Sequence, residues 1–165
     1  MHNQLRVPIP KPQGHCCFAC GTENPRGVKL EFYYTGEEVC TDIALDRFYE
    51  GWGNIAHGGI LSTLLDEVMS WTVIYLKRVF FYTRKMEIKY VKPVLVGTEL
   101  TVKGRLEDDS HKRLIKVKGE IVDKAGNLLT RGSGKYGILS EDQFSSVSEK
   151  VRQEMNQLFS KLPPL

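Results

Sequence analysis

Between Ile60 and Leu76 the chain is apolar on nearly every helical face, carrying Ile60, Leu61, Leu64, Leu65, Val68, Met69, Trp71, Val73, Ile74 and Leu76. A helix that is apolar all round has to be buried. At roughly eighteen residues the run approaches the length of a bilayer span, but Asp66, Glu67, Ser70 and Thr72 interrupt it, so it reads as the core helix of a soluble domain. The run opens on Gly58-Gly59, which puts no side-chain bulk over the first backbone N–H groups. Those groups have no partner inside the helix, and the helix dipole favours negative charge beside them. Asp66 lies further along the same apolar surface, where a carboxylate is costly and needs a reason.

The flanks of this helix follow a period of two. Val28, Leu30, Phe32 and Tyr34 alternate with polar residues, and so do Val39, Thr41, Ile43 and Leu45, with Gly36 between the two runs. This predicts a strand pair joined by a turn. A glycine-bearing loop, 46–54, leads into the helix. Beyond it, strands are predicted around Met86–Tyr90, Leu100–Leu106, Ile115–Ile121 and Leu128–Leu139, with turns at Asp108-Asp109-Ser110 and Gly126-Asn127. Glycines at 132, 134 and 137 mark a close backbone neighbour or a bulge in the last strand. Ser140-Glu141-Asp142-Gln143 is a capping-box pattern. It opens one amphipathic helix through Phe144, Val147, Val151, Met155, Leu158 and Leu162 that packs on the body. Residues 1–14, with Pro8, Pro10 and Pro12, read as an extended, poorly folded lead-in. The organisation is a lead-in over 1–14, one α+β domain over 15–139 and a covering helix over 140–165. Short connections favour antiparallel neighbours. One antiparallel sheet wrapped around the buried central helix satisfies that helix. Its free edge is best removed by pairing with a second copy.

A net charge of +3 is too mild and too dispersed for a nucleic-acid surface, though it suits a small phosphorylated ligand. No apolar segment near Met1 suggests a secretory signal, and no membrane association is expected. Cys16, Cys17 and Cys20 crowd into five residues, with Cys40 apart. That spacing makes a poor disulfide framework and favours a reduced, cytoplasmic setting. Cys17-x-x-Cys20 with His15 beside it offers half of a zinc site. No second Cys or His pair follows, so a packed thiol loop without metal is the expectation.

His57-Gly58-Gly59 at the helix start, with Asp66 nine residues after His57, resembles the hotdog-fold acyl-CoA thioesterases. The stretch Cys17-Phe18-Ala19-Cys20-Gly21, then Asn24-Pro25, Gly27 and Lys29-Leu30, is similar to the start of many members of the PaaI-like branch, and Tyr90-Val91-Lys92-Pro93 with Gly97 resembles its next landmark. The resemblance implies a hotdog fold and metal-free, cofactor-free hydrolysis of an acyl-CoA thioester to free acid and CoA. It also implies self-association into a homodimer, and of dimers into a tetramer. In one respect the sequence departs from the pattern. Many relatives place Asn or Gln six residues before the motif histidine, where this chain has Gly51, with Glu50 and Asn54 nearby but out of register.

Gly58 and Asp66 are eight residues apart, about 12 Å along a helix axis. A reacting atom sits ~3 Å from both its electrophilic donors and its base. One helix therefore cannot offer both groups to one thioester, and a working site must join the helix start of one copy to Asp66 of another. The resemblance implies the same sharing. In that site the Gly58 N–H polarises the carbonyl, His57 orients the turn or adds a hydrogen bond, and Asp66 activates a water or attacks directly. Thr83 steadies the water or the carboxylate. Gly59, Asn54, Leu61 and Glu67 are the candidate substrate-binding residues, with Leu61, Leu64, Val68 and Trp71 as an apolar wall for the acyl chain. Glu67 is the rival carboxylate, rotated about 100° from Asp66. Taken singly, His57 is an ordinary helix cap, Asp66 a structural carboxylate and Thr83 a strand threonine. The combination at this spacing is what points to catalysis. The competing reading is a non-catalytic module that binds acyl-CoA in the same pocket.

Overall fold

The computed structural model describes residues 5–165. Helix α1, Gly58–Lys77, is the element on which everything else packs. By length and composition it could cross a membrane, but Leu64, Leu65, Val68, Met69 and Val73 are fully buried within the protein. Burying each such side chain contributes about 1.5–3 kcal/mol before entropy is counted. Arg78, in the left-handed region at φ 50°, ends the helix with its N–H on the Ile74 carbonyl.

Around α1 curls a seven-stranded sheet in which every neighbouring pair is antiparallel. Its strands are β1 (Val7–Ile9), β2 (Phe32–Tyr34), β3 (Val39–Ala44), β6 (Phe81–Tyr90), β7 (Glu99–His111), β8 (Leu114–Asp123) and β9 (Leu128–Ile138), in the spatial order β1-β2-β3-β7-β8-β9-β6. A separate hairpin, β4 (Glu50–Trp52) and β5 (Ile55–Ala56), precedes α1. This is the wrapped-helix architecture expected from the sequence.

The helix can lie close to the sheet because three glycines clear its path. Gly104 on β7 pairs with Gly119 on β8, which pairs with Gly132 on β9. A Cβ at Gly104 would sit 2.2 Å from Thr72 Oγ1 and 2.8 Å from the Val68 carbonyl oxygen. One at Gly119 would meet Leu65 and Met69, and one at Gly132 the Glu87 carbonyl. Gly132 thus has the close backbone neighbour that its position in the strand suggested.

The structure corrects several local expectations. Part of the lead-in is folded: Val7–Ile9 pairs with Phe32–Tyr34, and Ile9 is buried. Pro8 is tolerated because β1 is an edge strand; the lead-in's first four residues lie outside the described ones. The alternating run from Val28 becomes strand only at Phe32. Lys29 sits at φ 58°, and Val28 and Leu30 instead donate to the carbonyls of Phe18 and Ala19. Asp108-Asp109-Ser110 is not the turn. The strand continues to His111 through bulges, with Asp108 accepting from the Ser110 N–H and hydroxyl. The C-terminal helix is two helices, α2 (Glu141–Ser146) and α3 (Glu149–Lys161). Val147 is extended between them, and Ser148 caps the second. Phe80 bridges the pair, 4.8 Å from the Phe144 ring and 5.7 Å from the Phe159 ring.

Gly104→Ala should cost about 1–3 kcal/mol of stability, the usual penalty of overpacking. Denaturant unfolding measures it, and an unchanged midpoint would mean that α1 does not need the glycine row.

Candidate active site

The turn before α1 is built by two residues in the left-handed region, Gly53 at φ 55° and Asn54 at φ 67°, a pairing that suits a tight hairpin. Asn54 is thereby spent on geometry: its N–H goes to Glu50 Oε1 and its carbonyl accepts from Val96. The hairpin delivers His57 to the N-cap of α1, where its Nδ1 accepts the Gly59 N–H at 2.9 Å. The carbonyl of His57 takes the N–H groups of Ile60 and Leu61. Gly58 is left over. Its N–H makes no hydrogen bond among the described residues, at the positive end of a twenty-residue helix. His57 therefore acts as the cap that isolates this donor.

Gly51 lies against His57, where a Cβ would stand 3.3 Å from the His57 Cα. The position that often carries an amide side chain in relatives is here filled by close backbone packing. It supplies no second carbonyl donor.

A pocket of about 470 Å³ opens at this helix start, walled by Gly51, Trp52, His57, Gly58, Leu61 and Tyr90 among others. Trp52 is 77% exposed, a large apolar surface at its mouth. Tyr90 was legible only as part of a motif, without a role. Its hydroxyl lies 3.0 Å from the Gly58 carbonyl and 2.7 Å from Ser62 Oγ. It clamps the first turn of α1 onto β6. Leu64, Val68 and Trp71, expected as an acyl wall, are instead buried in the core, with Trp71 stacked on Phe32. Of that set only Leu61 lines the pocket. A second hollow of about 450 Å³, between Glu87, Lys118 and Arg131, adjoins neither Gly58 nor Asp66.

Asp66 sits two turns along α1, partly buried, and Thr83 Oγ1 donates to its Oδ1 at 3.3 Å. Burial pushes the Asp66 carboxyl up from its ordinary value, and the Thr83 bond opposes that shift. The buried Tyr136 phenol has its own pKa raised, by burial first and then by the Asp66 charge. A bulge between Thr83 and Lys85 makes the Thr83 contact possible. Phe81 and Thr83 face inward, as do Met86 and Ile88. Three residues separate Thr83 from Met86, so plain alternation would place them on opposite faces. The bulge adds the residue that restores the phase.

Glu67 goes elsewhere. It accepts from Trp71 Nε1 at 3.0 Å and faces Cys17, so it is no part of the pocket at Gly58. Gly59 and Asn54 are exposed and likewise do not line it. Within one chain, then, the candidate residues fall into two separate groups: Gly58 with His57, Leu61 and Tyr90, and Asp66 with Thr83.

Residues 53–130 match the thioesterase superfamily. The matched stretch runs from the turn before α1 into β9. No curated protein matches the sequence. Among solved structures, a thioesterase superfamily protein aligns at 22% identity and a TM-score of 0.65 over 70% of this chain, which spans 56% of that protein's length. A hypothetical thioesterase from Streptococcus pneumoniae TIGR4, solved with coenzyme A, aligns at 21% identity and a TM-score of 0.59, over 63% of this chain and 80% of that one. The E. coli PaaI protein of the phenylacetic acid degradation operon aligns at 16% and 0.62, over 67% and 80%. The fold of this chain is thus the hotdog fold that its sequence resembles.

Because the native Asp66 binds its proton more tightly than the unfolded one, its ionisation opposes folding as pH rises through the raised pKa. Asp66→Asn should therefore be at least as stable as wild type at neutral pH, with the difference shrinking as pH falls. Denaturant unfolding at several pH values checks this. A large loss of stability at neutral pH would make Asp66 a structural group.

Proposed function

We propose that this protein hydrolyses acyl-CoA thioesters at a site shared between two copies, within the PaaI-like branch of the superfamily. The observation that carries the reading is the position of the two half-sites along β6. Thr83, bonded to Asp66, lies near one end of that strand, and Tyr90, bonded to the Gly58 carbonyl, ends the other. β6 is the last strand of the sheet, and its outer edge pairs with nothing among the described residues. If two copies pair antiparallel along that edge, about a two-fold axis near Met86 and Glu87, Thr83 of each comes opposite Tyr90 of the other. The same operation brings each Asp66 toward the other copy's Gly58. A two-fold dimer makes both sites at once.

In such a site the substrate carbonyl takes the free Gly58 N–H, and the dipole of α1 stabilises the oxyanion as the carbonyl is attacked. Asp66, ionised and held by Thr83, removes a proton from the attacking water. Direct attack by Asp66 would instead give a mixed anhydride that water then opens. Collapse of the tetrahedral intermediate expels the CoA thiolate. Leu61, Trp52 and Tyr90 offer the pocket's apolar contacts. The solved relative with coenzyme A supports the carrier.

The Gly58 donor can be deleted without disturbing the cap. Proline is tolerated at the first helical position and lacks the N–H, and His57, at ψ 131°, already has the extended backbone that precedes proline. Gly58→Pro should lower thiol release from acyl-CoAs by roughly 10²–10³-fold, and Asp66→Asn by roughly 10²–10⁴-fold. When the two variants are unfolded together and refolded, half the dimers are mixed and each holds one intact site, so activity should return to about a quarter of wild type. A mixture no better than its parents sinks the shared site. Tight acyl-CoA binding with no turnover of any substrate in the panel would instead favour the binding-module reading. Thr83→Val removes the bond that lowers the Asp66 pKa, so the acid limb of the pH–rate profile should move to higher pH.

A further inference from the structure

The cysteine loop lacks a second Cys or His pair in the sequence, but the fold brings it a carboxylate. Cys17 Sγ, Cys20 Sγ and a carboxylate oxygen of Glu67 lie within 4.8 Å of one another. Cys17 Sγ is 3.9 and 4.0 Å from the two Glu67 oxygens, and His15 Nε2 is 3.5 Å from Cys20 Sγ. In a tetrahedral site with metal–ligand bonds of 2.0–2.3 Å, neighbouring donors stand roughly 3.3–3.8 Å apart. Among Cys17, Cys20 and Glu67 the spacings need to tighten by about an ångström at most, whereas His15, in contact with Cys20 alone of the three, has to swing further to complete the set. We propose that Cys17, Cys20, Glu67 and His15 form a structural site for a zinc-like divalent cation that ties the N-terminal loop to α1.

Two features of the loop favour a cation over a packed thiol cluster. The thiol–carboxylate contacts are long for hydrogen bonds, so Glu67, facing inward beside two sulfurs, has only the Trp71 N–H as a good partner. His15 has Nδ1 buried without a hydrogen bond, and Nε2 meets only the Cys20 sulfur. Lys11, whose side chain is 4% exposed, donates to the Cys20 carbonyl at 3.1 Å and pairs its charge with Glu31 at 2.7 Å, tying the loop to the residue that precedes β2. The loop is also held in shape without metal. Gly21 donates to the Cys17 carbonyl at 2.9 Å, and a Cβ at Gly21 would lie 2.5 Å from the Cys17 backbone nitrogen and oxygen. Binding replaces the two thiol protons, which pass to solvent, so affinity should rise with pH.

The test uses the full chain, stripped by chelation, kept under reductant and titrated with Co(II). The expected result is one cobalt per chain, a thiolate-to-cobalt charge-transfer band with tetrahedral visible bands, and displacement of both by Zn(II). Glu67→Gln and Cys17→Ser should each weaken binding by at least roughly 10–100-fold, and Cys16→Ser should leave it unchanged. Zn(II) should raise the melting temperature of wild type and of Cys16→Ser only. No charge-transfer band in the reduced wild-type chain overturns the proposal without reference to any variant. Equal affinity in Glu67→Gln and wild type overturns the role of the carboxylate. A thiol count short by one pair, with no cobalt bound after reduction, identifies a Cys17–Cys20 redox couple in place of a metal site.

Discussion

The contact between α1 and the glycine row of β7, β8 and β9 fixes the rest of the molecule. Gly104, Gly119 and Gly132 remove side chains where the helix crosses, so Thr72 and the Val68 carbonyl come down almost onto the β7 backbone. Packing of this kind has one good register. A shift of the helix along the sheet would drive Leu65 or Met69 into strands that still carry their side chains. The depth and rotation of α1 thus decide which of its residues look outward. Ser62, Thr63, Asp66 and Ser70 form that outward side, and it is only partly covered.

Rotation about the same helix separates two adjacent carboxylates. Asp66 points to Thr83 on β6, and Glu67 points to Cys17 and Trp71 on the opposite flank. The two have the same intrinsic chemistry and differ by one step of a helix, about 100°. One step takes Asp66 toward the free edge of the sheet and Glu67 toward the N-terminal loop. Glu67 therefore stands apart from the pocket at Gly58. It holds the Trp71 N–H and faces the sulfurs of the N-terminal loop.

What the sequence made legible follows from the range of the interactions involved. The core helix, the wrapped antiparallel sheet, the Gly58 turn and Asp66 could all be read, because apolar period, glycine placement and a lone carboxylate are local signals. The Thr83–Asp66 contact was one of two roles read for Thr83, but its cause was not legible. The bulge that turns Thr83 inward depends on how β6 registers with β9, and no single strand encodes that. Tyr90 escaped as a clamp for a similar reason. Its partner is a backbone carbonyl thirty-two residues earlier, and carbonyls leave no mark in a sequence. Lys29 at positive φ broke a strand that alternation predicted. Alternation reports which face is buried and cannot report whether the backbone pairs. The turn after β7 slipped from Asp108 to Lys112-Arg113 because Asp and Ser also favour bulges, where their oxygens capture nearby N–H groups.

The energetics of Asp66 tie these strands of argument together. A carboxylate half withdrawn from water, with one neutral hydroxyl donor and no cation bonded to it, is held at a cost in stability. A chain selected for stability alone would place a serine or an alanine there, as it does at Ser62 and Ser70 on the same face. The cost makes sense only if another group repays it in the working protein. The Gly58 N–H, free among the described residues, faces a different pocket. Both features, a carboxylate without a cation and a helix N-terminus without an anion, lie beside a strand whose outer edge is unpaired among the described residues. Each is unfavourable alone, and the proposed two-fold axis, crossing β6 near Met86 and Glu87, would let each answer the other.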